Sequence, residues 1–186
     1  MASFWEIVPV DGHDMDVYVS VPSAQAQGPF PAVIVSQHGG GVDKFIQEMS
    51  DRLADAGYAA VAPNLFHRYT SEMLADRSRR VQHLSNLEIV GDMNATVDFL
   101  QSHPTVNQDR IGVTGFCMGG RVAWLAAASI PHLKAMAPYY GGNINVTWGA
   151  GEKSPFELAE EIKCPVLFHF GEKDINPSAE DMASLL

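Results

Sequence analysis

The chain has 186 residues, 46% hydrophobic and 18% charged, enough to bury a sizeable core as one domain. Its formal charge of −10, with few and dispersed basic residues, argues against sequence-independent binding to nucleic acid or to an anionic membrane surface, which requires clustered Lys and Arg. No apolar run approaches the roughly 20 residues of a bilayer span and Met1 to Glu6 lacks a signal-peptide pattern, so a cytoplasmic protein is expected, with Cys117 and Cys164 as reduced thiols.

From the N-terminus, Asp16 to Val21 alternates polar and apolar residues as an edge-type strand does, and Pro22 with the segment Ser23 to Pro29 breaks it, so the opening reads as a hairpin region. Pro31 to Ser36 contains Ala32-Val33-Ile34-Val35, a continuous run of the kind buried on both faces of a parallel sheet, and is placed as the central strand. Phe45, Met49, Leu53 and Ala56 recur at helical spacing, with Gly57 at the C-cap position. Tyr58 to Ala62, ending at Pro63, completes a strand-helix-strand unit. Arg68 to Gln82 is charged and poorly periodic, and reads as a solvated helix or a cover.

Leu87, Val90, Met93, Val97 and Leu100 predict a helix face, Arg110 to Gly115 a strand, and Met118 to Ser129 a further helix. Lys134 to Pro138 and Val166 to Phe170 are two more apolar runs, separated by a Gly- and Asn-rich stretch and a predicted helix from Pro155 to Ile162. Strands alternate with helices throughout, without repeat or long linker, so the expectation is one α/β domain over residues 1–186.

Gly115-Phe116-Cys117-Met118-Gly119 lies between the apolar strand Ile111 to Thr114 and a helix, the setting a nucleophile elbow requires. Glycines two positions either side relieve backbone crowding in such a strained turn, and the helix N-terminus favours a thiolate, the form that attacks carbonyl carbon. The alternative is a buried apolar cysteine, common among free Cys, but the strand, paired glycines, Gly120 and helix favour the nucleophile. Cys164 precedes Pro165 at a strand start and reads as structural.

His38-Gly39-Gly40-Gly41 follows the central strand, where backbone N–H groups turn toward a developing oxyanion while the residue after the nucleophile supplies the other donor. Gly39 and Met118 are the donor candidates, with a plain flexible turn as the alternative. Asp174, just beyond the Val166 to Phe170 run, stands where a triad's orienting carboxylate follows its nucleophile, with a solvated loop aspartate as the alternative. His169 lies within that run and reads as a packed core histidine. The chain order nucleophile, acid, histidine requires a His after Asp174, and the sequence has none. With Leu186 in a predicted helix, the expectation is a C-terminally incomplete chain lacking its last strand-helix unit, with His38 as the substitute base considered.

These residues resemble the dienelactone hydrolase family, also called carboxymethylenebutenolidases. Gly-Phe-Cys-Met-Gly-Gly at 115 to 120, Tyr-Tyr-Gly-Gly at 139 to 142, the Asp174 segment and the stretch from Gly57 to Leu65 carry the resemblance, which runs from about Met15 through Asp181. It implies an α/β-hydrolase fold, a mostly parallel central sheet with helices on both faces. It also implies a thiol hydrolase without cofactor or metal, forming an acyl-enzyme on Cys117 with a small-molecule lactone or ester. The family holds a substrate carboxylate with arginines, for which Arg79 or Arg80 stands nearest, and His38 occupies the place of a family glutamate that pairs with the cysteine. His38 is therefore a substrate-pocket candidate as well.

The second reading, from another class, is a catalytically silent or small-molecule-binding protein of the same fold, with a pocket but no covalent turnover. The two divide on whether a base accompanies Cys117. A redox-sensing thiol would need a resolving cysteine, and Cys164 is poorly placed for that.

Overall fold

The alternating pattern at the N-terminus begins well before Asp16. Ala2–Val10 (β1) and His13–Val21 (β2) pair antiparallel around Asp11 and Gly12, whose φ values of 51° and 79° suit a two-residue primed turn. The computed structural model describes residues 1–23, 26–151 and 153–184. Four more strands follow: β3 (Phe30–Ser36), β4 (Ala59–Pro63), β5 (Val106–Phe116) and β6 (Leu133–Tyr139). The sheet order is β1-β2-β4-β3-β5-β6, antiparallel as far as β4 and parallel from β4 to β6. This is the mostly parallel α/β architecture expected, with β3 central. The edge assignment needs correcting, because β2 lies between β1 and β4 and the edge is β1. Six of the first seven β1 residues are exposed, so that strand carries little of the apolar signal by which strands are found.

Four helices connect or flank the strands: α1 (Lys44–Asp55), α2 (Asn86–Ser102), α3 (Met118–Ser129) and the short α4 (Ala179–Ala183). Adjacent residues of the central strands point to opposite faces, so Val35 and Ala62 pack with Ile46 of α1, while Ile34 and Val61 join α2 and α3 in the larger core. Helices thus cover both faces. The buried stripe of α1 is Ile46, Ser50 and Ala54, one residue on from the predicted face. Phe45 is half out of the core because its ring sits 5.0 Å from Phe116 and 5.9 Å from His38. On α2, Leu87 points to solvent and Ile89 takes its place inside.

The predicted helix from Pro155 to Ile162 is instead a set of turns with one 3-10 turn at Ala159–Glu161. Tertiary bonds draw its backbone outward: Trp124 Nε1 donates to the Pro155 carbonyl at 2.9 Å and the Phe156 amide to that of Ile144 at 2.9 Å. Arg68 to Gln82 is a run of turns closed by a 3-10 helix at Arg80–His83, a cover and not a regular helix. The Val166 to Phe170 run lies parallel to β6 through the bridges Met136–Val166 and Tyr139–His169. The predicted terminal helix is α4 with its Ser178–Asp181 capping box, and Leu186 lies outside the described residues.

Two buried cations tie loops to this frame. Arg121 on α3 is fully buried, with Nη2 donating to Asn86 Oδ1 (2.9 Å) and the Val146 carbonyl (2.6 Å), Nε donating to the Asn143 carbonyl (3.2 Å), and its plane 3.7 Å above the Trp148 ring centre. Burial without a carboxylate pulls its pKa down to about 10. Arg68 instead meets Asp92 of α2 through Nη1 at 2.7 and 2.8 Å and Asp11 at the hairpin tip through Nη2 at 3.1 Å. Burial works against that cation, and the Asp92 bonds and charge outweigh it, holding Arg68 above its ordinary value. Asp92 is 1% exposed. Replacing it with Ala leaves the exposed Asp11 as the carboxylate bonded to Arg68, and the expected loss is about 2–3 kcal/mol of unfolding free energy in urea titration. A loss below about 1 kcal/mol would show the pair to be solvated.

Candidate active site

The parallel strands end together along one edge of the sheet, since Ser36 pairs with Gly115, Phe116 with Tyr139 and Tyr139 with His169. Cys117 follows β5 on that edge with φ 55° and ψ −119°, an unfavourable conformation for a residue with a Cβ. The turn is wedged between its neighbours. A Cβ at Gly115 would fall on the Gly119 backbone, one at Gly119 on the Ser36 carbonyl oxygen, and one at Gly120 within 2.6 Å of the Tyr139 carbonyl oxygen. The Cys117 amide donates to that same Tyr139 carbonyl at 3.0 Å, and the cysteine is exposed at the start of α3.

The glycine loop after β3 lies on the adjacent strand end. The Gly41 amide donates to the His38 carbonyl and the Gly40 amide to His38 Nδ1, each at 2.9 Å. Among the described residues, no acceptor takes the Gly39 amide. Met118 is the first residue of α3, so its N–H faces no carbonyl of its own helix. Gly39, after β3, and Met118, next to Cys117, are thus amides without an acceptor among the described residues, on adjacent strand ends. His38 uses both ring nitrogens, Nδ1 as acceptor and Nε2 as donor to Asp43 Oδ1 at 3.1 Å, and Asp43 also caps α1 through the Phe45 and Ile46 amides. The histidine therefore orders the loop, and neither nitrogen is free for the Cys117 proton.

Asp174 lies on the same edge, past the segment that runs beside β6. It is exposed, and its carboxylate accepts from the Gly171 amide at 2.9 Å inside a tight turn. The two arginines separate clearly. Arg79 is exposed with Asp76 as its partner at 3.5 Å, whereas half-buried Arg80 reaches across to the Gly40 carbonyl through Nη1 at 3.3 Å. His169 is half-buried and stacks on Tyr139 at 4.4 Å, at the strand ends and not deep in the core. Cys164 is half-buried, burial raises its thiol pKa, and it lines an apolar cavity of about 630 Å³ with Trp124, Phe168 and Met182 that includes none of the site residues. Among the described residues, no group of three His, Cys, Asp or Glu is placed to hold a metal.

Two further residues at the site, Gln37 and Tyr140, take no role from the sequence alone, although Tyr140 stands in the Tyr-Tyr-Gly-Gly stretch. Gln37 is fully buried, its Oε1 accepting from the Leu65 amide at 3.2 Å while Nε2 has no partner among the described residues. A polar residue closing an apolar β-branched run is the clue it offers. Tyr140 adopts φ 41°, and burial, then the charge of Cys117, raises its phenol pKa. The second of these causes vanishes in Cys117→Ala, so ultraviolet titration of that variant should show one tyrosine ionising at lower pH than in the unaltered protein. Superimposable titrations would mean that the two groups do not sense each other.

The model of the dienelactone hydrolase family matches residues 15–185. A carboxymethylenebutenolidase-like protein of Yersinia pestis is 34% identical over 185 residues, covering 96% of this chain and 68% of its own length. The carboxymethylenebutenolidase of Pseudomonas putida is 30% identical over 173 residues, covering 88% of this chain and 68% of its own. The crystal structure of a dienelactone hydrolase-like protein of Klebsiella pneumoniae superposes with a TM-score of 0.87 at 29% identity, over 99% of this chain and 78% of that one. The chain thus spans about two thirds of the length of these two sequence relatives.

Proposed function

The chain belongs to the dienelactone hydrolase family, whose members act on lactone and ester bonds, and we propose that it hydrolyses small lactones or carboxylic esters through an acyl-enzyme on Cys117. The observation that carries the proposal is the pairing of an exposed cysteine in a strained, glycine-wedged turn with two amides, Gly39 and Met118, left without acceptors beside it. In the acylation step the Cys117 thiolate attacks the carbonyl carbon and forms a C–S bond. The carbonyl electron pair moves onto oxygen, where the two amides hold the oxyanion, then returns and expels the alcohol oxygen. Water later attacks the thioester, releasing the acid and restoring the thiol.

The geometry favours substrates whose leaving oxygen is weakly basic. An enol lactone or aryl ester departs as a stabilised enolate or phenolate and needs no proton donor, whereas an alkyl ester does. No histidine occurs among residues 175–186, and His38 already uses both nitrogens, so acylation is the step that these residues support best. In this reading Arg80 and not Arg79 meets a substrate carboxylate, His38 shapes the pocket by fixing the oxyanion loop, and Asp174 stands in the place of a triad acid with its carboxylate bonded to the Gly171 amide. A single domain in the cytoplasm, where both thiols stay reduced, belongs to the same proposal.

The second reading, a ligand-binding protein of the same fold, draws on the engagement of both His38 nitrogens. Intact-mass measurement after exposure to an activated aryl ester separates the two. One acyl adduct is expected on the unaltered chain and none on Cys117→Ala. An adduct that persists in the variant, or its absence from both, removes Cys117 as the nucleophile and leaves the binding reading.

A further inference from the structure

Residues 70–82 form a surface run of turns in which Leu74, Arg80 and Val81 are half-buried and the other residues are exposed. Its backbone bonds close within the loop: Leu74 to Thr70, Ala75 to Glu72, Arg79 to Asp76 and Gln82 to Arg79. Side chains do the same, with Arg80 Nε donating to the Leu74 carbonyl at 2.6 Å and His83 Nε2 lying 3.2 Å from the Met73 carbonyl. The loop is thus a cover pinned by Leu74 and Val81, which pack against the main core. It meets the catalytic edge at two points: Arg80 Nη1 on the Gly40 carbonyl at 3.3 Å, and Val81 packed toward Gly39. Gly39 carries one of the two open amides.

What holds the two ends together lies outside the loop. The Tyr69 hydroxyl sits 2.6 Å from the His83 carbonyl oxygen and 2.9 Å from Glu88 Oε2 in the first turn of α2, sharing its one proton between them. Its ring packs 5.5 Å from that of His83. One residue earlier, Arg68 is locked to Asp92 of the same helix. Burial and the Glu88 carboxylate both push the Tyr69 phenol pKa up, so the hydroxyl keeps its proton across the working range.

We propose that Tyr69 and Glu88 are positioning residues: their clasp with the His83 carbonyl shuts the 70–82 loop so that Arg80 faces the oxyanion loop, and thereby sets selectivity for substrates that carry a carboxylate. This rests on the reading of Arg80 as the group that meets that carboxylate. The loop also holds Arg77 and Arg79 beside Glu72 and Asp76, and with Asp76 taking Arg79, Arg80 is the arginine of the loop that reaches the glycine turn. Neither Tyr69 nor Glu88 need touch substrate. Their effect travels through the closure of the loop.

The test uses Tyr69→Phe, which keeps the ring and removes the hydroxyl, beside Arg80→Ala, Glu88→Gln and Glu88→Leu. Hydrogen exchange of the amides in 70–82 reports the clasp without any need for activity. Loss of one such hydrogen bond should speed that exchange by roughly 3- to 10-fold in Tyr69→Phe. Unchanged exchange overturns the clasp. The second readout is the rate of Cys117 acylation by an aryl ester bearing a remote carboxylate, divided by that for its neutral isostere.

Arg80→Ala should lower this ratio by roughly 10- to 100-fold, the worth of a hydrogen bond between charged groups. Tyr69→Phe should lower it by roughly 3- to 10-fold, through the concentration dependence and not the maximal rate. Glu88→Gln, which keeps an acceptor, should stay nearer the unaltered protein than Glu88→Leu. If Arg80→Ala lowers the ratio and Tyr69→Phe does not, the positioning role is overturned while the substrate reading stands. If Arg80→Ala leaves the ratio unchanged, the reading of Arg80 falls and the selectivity claim with it, and hydrogen exchange alone then decides the clasp.

Discussion

The arrangement around Cys117 depends on backbone packed against backbone. Three strand ends, those of β3, β5 and β6, arrive in register at one edge of the sheet, and the turn into α3 must fit between the outer two. Gly119 lies against the Ser36 carbonyl, Gly120 against that of Tyr139 and Gly115 against Gly119, at separations that leave no room for a Cβ. The cysteine between them is driven into a conformation that side chains avoid, which lifts it out of the sheet and into solvent. The strain is offset by the packing of α3, whose residues from Met118 to Ala127 are all buried.

Around this rigid centre, the loops are placed by polar contacts. Arg121, on the helix that follows Cys117, gathers the 143–148 segment and the start of α2 through two carbonyls and the Asn86 side chain, although one of its nitrogens, Nη1, has no partner among the described residues. A buried cation with no carboxylate is costly in isolation, and hydrogen bonds to carbonyls with an aromatic face beneath it are the alternative means of holding it. The Arg68–Asp92 pair performs the same service for the hairpin tip and the start of the cover loop, here with charge matched to charge. Polar loops thus acquire defined positions without contributing much apolar surface.

The glycine loop shows how side chains decide which amides remain for chemistry. His38 draws the Gly40 amide to its ring and the Gly41 amide to its carbonyl, and Asp43 holds the ring from the other side while capping α1. Three successive glycines would otherwise be free to point anywhere. The Gly39 amide is what remains, and Arg80 bonds to the Gly40 carbonyl of the same loop. An arginine and an amide without an acceptor therefore meet at one short turn.

Periodicity and turn chemistry sufficed for much of this. The central strand, α3 to the residue, the cysteine between its glycines and the glycine loop after β3 were all legible, because each is set by local backbone requirements that leave a mark on residue type. β1 was not, since its residues are mostly solvated and an exposed edge strand imposes no apolar alternation. Nor was the Pro155 to Ile162 segment, whose helical spacing lost to a tertiary hydrogen bond from Trp124 and another from the Phe156 amide to the Ile144 carbonyl. The choice between Arg79 and Arg80, the engagement of both His38 nitrogens and the neighbourhood of Tyr140 and Cys117 depend on which loops face one another. By itself the sequence determined the parallel α/β frame and the position of the strained turn at Cys117, because these follow from short-range sterics and from burial along each element. Only the tertiary structure decided which polar groups stay open around Cys117, because hydrogen-bond partners drawn from segments tens of residues apart are matched only once the chain has folded.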